Sequence, residues 1–91
     1  MNSADSSESA ILERAINPQA GGWPASTAHS LLEIKLSQED LSRADELARK
    51  AGEGTLSSME LEELNNYRHA GRVLEMLKAK ARVSLKSAGA A

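Results

Sequence analysis

The sequence predicts an all-α protein in which three short helices pack on one long C-terminal helix. Three features of its 91 residues carry that expectation. The large apolar side chains are mostly leucine, with no phenylalanine and single copies of Trp23 and Tyr67, a palette that suits helices better than strands. Apolar residues recur at spacings of three and four. Serine-led capping boxes and well-placed glycines mark where helices start and stop.

Residues 1–8 read as a disordered, Ser/Asp-rich lead, followed by a single helical domain over 9–86 and a frayed tail at 87–91. The first helix, about 9–16, puts Ile11, Leu12, Ala15 and Ile16 on one side. Asn17–Pro18 disfavours its continuation, and Gly21–Gly22 supply a flexible turn. Trp23 closes this loop, where a lone indole serves to cover a small core. A second helix, about 25–35, follows Pro24 with Ala28, Leu31, Leu32 and Leu36 on its apolar side. Ser37 can cap the amides at Glu39 and Asp40, with Asp40 in the reciprocal position of a capping box. The third helix, about 38–51, buries Leu41, Ala44, Leu47, Ala48 and Ala51, and Gly52 stands where a terminal glycine is expected. Ser57 and Glu60 form the second capping box and open the fourth helix, 58–86.

That last helix would be about 43 Å long at 1.5 Å per residue, well beyond the three before it. Leu64, Tyr67, Ala70/Gly71, Leu74, Leu77, Ala81 and Leu85 make its main stripe. Gly71 costs about 1 kcal/mol of helix propensity against alanine, which points to close approach of another backbone. Val73, Met76, Ala79 and Val83 make a lesser stripe on another side. A helix apolar on two sides is contacted on two sides, so the C-terminal half is expected to meet a second chain.

Charge is unevenly placed. Residues 1–63 carry −7, whereas residues 64–91 carry six cations against Glu75 alone. Dipole complementarity accounts for this order of signs without a ligand. The same basic end can also meet an acidic protein or a phosphate backbone. The third helix has five carboxylates, counting Glu53, against three cations, which repels phosphate where a helix-turn-helix would need to read bases. No aromatic interleaves the C-terminal cations for base stacking, so direct nucleic-acid binding is the minor expectation.

Nothing points to catalysis. His29 and His69 lack metal-ligand spacing, no cysteine is present, and GxSxG and phosphate-loop signatures are missing. No enzyme activity, cofactor or metal is expected. No apolar run is long enough to span a bilayer, and the polar, acidic opening is unlike a secretory signal, so the expected location is the cytoplasm.

The segment from Gly54 onward reads G-T-L-[TS]-x-x-E-x-x-E-L-x-x-Y-x-x-x-G-x-x-L-x-x-L-x-x-K-A-R. Gly54, Thr55, Leu56, Ser57, Glu60, Glu63, Leu64, Tyr67, Gly71, Leu74, Leu77, Lys80, Ala81 and Arg82 hold its fixed positions. It resembles small bacterial all-helical proteins encoded beside nuclease-like genes, sometimes of HNH type. Ser57–Ser58 stands where that pattern usually has Thr-Pro. The resemblance covers residues 48–86 well and implies a companion or antitoxin-like role. Sequence analysis therefore expects a non-enzymatic protein-binding module or small complex subunit. Tyr67, Gly71, Arg72, Leu74, Met76, Leu77, Lys80 and Arg82 are its contacts to another protein, such as a nuclease-like partner. The alternatives are a self-assembling homodimer and a nucleic-acid accessory using the basic end.

Overall fold

The computed structural model describes residues 5–88 and contains four helices in the order α1 (Glu8–Ile16), α2 (Ala25–Leu32), α3 (Gln38–Glu53) and α4 (Ser58–Ser87). The fold is all-α, with the long last helix packed against the others. Residues 1–4 of the expected lead and 89–91 of the expected tail lie outside the described residues, whereas Ser7 caps α1, Glu8 opens it and Ser87 ends α4.

Local chemistry sets the helix ends. Ser7 caps α1 by accepting from the Ala10 amide, so the helix begins one residue early, and Asn17 ends it in the left-handed region at φ 54°. Asn tolerates that conformation because its short polar side chain bonds locally. α2 ends at Leu32, short of the expected 35. The Glu33 and Ile34 amides bond back only three residues, to Ser30 and Leu31, which tightens and then releases the turn. Ser37 caps α3 through the Asp40 amide. That helix runs through Gly52 to Glu53, and the left-handed cap is Gly54 at φ 71°, not Gly52 as expected. The Gly54 amide bonds to Ala51 and Lys50, and the Thr55 amide to Lys50, which satisfies the last carbonyls. The α4 capping box is complete: the Glu60 amide donates to Ser57 Oγ at 3.1 Å, and the Ser57 amide donates to Glu60 Oε1 at 3.0 Å.

The chain divides into two compact units, one of Met1–Ile34 with Arg72–Ala91, the other of Lys35–Gly71. The first holds α1, α2 and the second half of α4, with Ala28, Met76, Ala81 and Ser84 buried. The second holds α3 and the first half of α4 around Leu47 and Leu64.

Several residues expected inside are outside. Ile11 and Ala15 of α1 and Leu41 and Ala48 of α3 are exposed. A nine-residue helix buries none of its side chains fully, because one short face against one neighbour leaves both flanks in water. In α3 the buried stripe narrows to Leu47, with Ala44 and Ala51 half-buried.

Candidate interaction surface

In the unit of α3 and α4, polar side chains fix the register of the two helices. Arg43 of α3 makes a fork to Glu63 of α4, with Nε and a terminal nitrogen each 2.7 Å from a carboxylate oxygen, and reaches Glu46 at 2.9 Å. A bidentate guanidinium–carboxylate pair is directional as well as strong. Lys50 pairs with Glu60, which also serves the cap. The Lys50 hydrogen bond and the Ser57 amide hold the Glu60 carboxyl down to about 2, and the Arg43 fork lowers that of Glu63. The Tyr67 hydroxyl donates to Asp40 Oδ1 at 2.7 Å, which raises its pKa because ionisation would set two anions together. Ser37 Oγ donates to the other Asp40 oxygen at 3.0 Å. Tyr67 thus lies half-buried with its hydroxyl engaged inside the chain.

In the other unit the loop after α1 is strapped to α4. Lys80 Nζ donates to the carbonyls of Asn17 (3.3 Å) and Ala20 (2.7 Å) and lies 5.4 Å from the centre of the Trp23 ring. The Trp23 amide donates to Ser84 Oγ at 3.2 Å, and that hydroxyl donates to the Lys80 carbonyl. Ser84 is 1 % exposed and fully satisfied. Gly21 comes so close to α4 that a β-carbon there would stand 2.9 Å from Ser84 Cα.

These contacts correct the expectation for the C-terminal half of α4. Met76 is 8 % exposed, so it belongs to the core of its unit. Met76, Lys80 and Ser84 are successive i, i+4 positions on one face, the face that carries the covered side of this unit. Val73, Leu77, Ala79 and Val83 are half-buried. The lesser stripe, expected to await a second chain, is therefore taken up in part by the protein's own residues. Lys80 is likewise engaged at home. The close approach attributed to Gly71 is found instead at Gly21, whereas nothing lies within 4 Å of where a Gly71 β-carbon would be. Leu74 is half-buried, and Arg72 and Arg82 are exposed, with Arg82 bonded to Glu75 at 3.2 Å.

Two apolar side chains in the first turn of α4 lie outside the expected contacts. Met59 is 81 % exposed and Leu61 48 %. Leu61 also lines an open groove of about 410 Å³ with Ala51, Leu56, Leu64 and Arg68. The available signal was that Met59 falls off the Leu64–Tyr67 stripe and so has no helix of its own to meet.

Among the described residues, no group of three or more His, Asp or Glu side chains is placed to hold a metal ion, and no helix is long and apolar enough to cross a membrane. Compared with family models, curated proteins and solved structures, the chain has no match.

Proposed function

We propose that this protein is a non-enzymatic binding module, working in the cytoplasm, that docks on another protein through α4, with Gly71, Arg72, Leu74 and Arg82 among the contacts. The observation that carries this reading is the open space beside Gly71. A glycine inside a helix costs about 1 kcal/mol relative to alanine. Here, its own helix backbone aside, no atom of the described residues lies within 4 Å of where a β-carbon would be, and its φ is not in the left-handed region. A partner backbone packed against α4 at that point supplies a reason for the residue. Arg72 and Arg82 lie exposed to orient an acidic partner surface and speed its encounter. The motif from Gly54 to Arg82 resembles that of companions of nuclease-like proteins, which supports a partner of that class.

The test compares capture from the native host by the wild type, Gly71→Leu, and the double variant Arg72→Glu with Arg82→Glu. Both variants are expected to keep their helical circular dichroism and to lose the same co-eluting protein. Equal capture by all three refutes docking at this surface. Binding to nucleic acid that falls steeply with added salt would replace a protein partner by a phosphate backbone.

A further inference from the structure

The first turns of α4 carry a separate feature that the docking reading leaves unused. Met59 is the most exposed large apolar side chain among the described residues, and Glu62, one turn on, lines the same shallow surface as Met59. Elsewhere on the turn, Ala51, Leu56, Leu61 and Leu64 floor the open groove, and Arg68 is the one charged side chain lining it. Most cations of this unit are committed: Arg43 to Glu63 and Glu46, Arg49 to Glu53, and Lys50 to Glu60. Glu62 and Arg68 stand exposed outside those pairs. One surface thus offers an apolar knob with an anion beside it. The other offers an apolar socket edged by a cation.

We propose that a second copy of this chain occupies the groove, with Met59 seated between Leu56, Leu61 and Leu64 and Glu62 paired with Arg68 at the rim. Complementary charge selects this occupant, because the sequence around Met59 presents what the socket lacks. At 100° per residue, Met59 and Arg68 lie half a turn apart around α4. The surfaces that carry them nevertheless adjoin, because Ser58 and Leu61 line both. A second copy can meet this region once, leaving one knob and one socket free, or twice across a two-fold axis. The contact is small, and a small interface is a weak one. This inference does not depend on the surface around Gly71.

Sedimentation velocity of the full chain from about 10 µM to about 1 mM covers the affinities that so small a contact supplies. The wild type is expected to pass from monomer to associated species as concentration rises. Met59→Asp keeps the socket and loses the knob. Arg68→Glu keeps the knob and spoils the socket. Each alone is expected to associate roughly 10- to 100-fold more weakly, the effect of losing one buried apolar side chain or one ion pair. Mixed in equal amounts, they are expected to form a heterodimer and nothing larger, because one intact knob meets one intact socket. Both substitutions are at exposed positions, and Met59→Ser with Arg68→Gln provide a gentler pair should either lose helix content. A wild type that stays monomeric throughout overturns the proposal, as does a mixture that stays monomeric or a Met59→Asp protein that associates like the wild type. Gly71→Leu is expected to leave the association unchanged, which separates this result from that of the docking surface.

Discussion

Alanine at position 21 is predicted to destabilise the protein through contact with a helix backbone. Its β-carbon would sit 2.9 Å from Ser84 Cα, 3.1 Å from Ser84 N and 3.2 Å from Ser87 Oγ. Carbon atoms in good contact stand about 3.5–4.0 Å apart, so loop and helix must separate by roughly half an ångström or more. The first two neighbours are main-chain atoms within α4, which no rotamer change can move aside. The loop is also held in place, since the Trp23 amide reaches Ser84 Oγ at 3.2 Å and Lys80 grips the Asn17 and Ala20 carbonyls. A retreat of that size takes the Trp23–Ser84 distance past the hydrogen-bond limit of about 3.5 Å. Overpacking of this kind costs about 1–3 kcal/mol, and the lost hydrogen bond about 1 kcal/mol more. Stiffening the unfolded chain returns about 0.4–1 kcal/mol. The net is about 1–3 kcal/mol, a fall in melting temperature of roughly 5–20 °C for a chain of this size. Thermal unfolding by circular dichroism measures it, and emission of Trp23, the only tryptophan, reports the loop. Gly71→Ala is the matched control. It meets open space within the helix and is expected to stabilise by up to about 1 kcal/mol. A Gly21→Ala protein as stable as the wild type would refute the close approach of loop and helix.

Two further predictions concern the unit of α3 and α4. Leu47→Ala empties the largest fully buried side chain and is expected to cost about 2–5 kcal/mol, measured as a shift in urea midpoint. Stability should also depend on pH at both extremes. Glu60 and Glu63 have lowered folded pKa values, so their contribution is present above the unfolded value of 4.5 and is lost as pH falls toward about 2. Tyr67 has a raised one, so its contribution is present below pH 10 and is lost as pH rises beyond it. Urea midpoints across pH measure both losses. Tyr67→Phe should remove the alkaline loss, and a Glu60→Gln with Glu63→Gln protein should flatten the acid one. Unchanged profiles in those variants would refute the assignments.

Helix boundaries were written locally. Ser37, Ser57 and Glu60 sit beside the amides they satisfy, so reading a few neighbours was enough to place α3 and α4. Gly52 and Gly54 were harder to separate, because either could end the helix and only the closing bonds to Lys50 and Ala51 chose the second. Side-chain coverage was much less legible. Periodicity marks Leu41 and Leu47 alike as apolar positions of α3, yet one is 41 % exposed and the other is sealed. Likewise Met76, on a stripe expected to meet a second chain, is 8 % exposed, whereas Met59, on neither stripe, is 81 % exposed.

What the sequence by itself determined here is the all-α class, the four helices and most of their ends, because caps, propensity and apolar spacing act within a few residues of one another. What only the tertiary structure decided is which faces are covered. Gly21 meets Ser84 and Arg43 meets Glu63 across separations of 63 and 20 residues. Such contacts depend on where whole helices come to rest, and a periodic pattern names an apolar face without naming its neighbour.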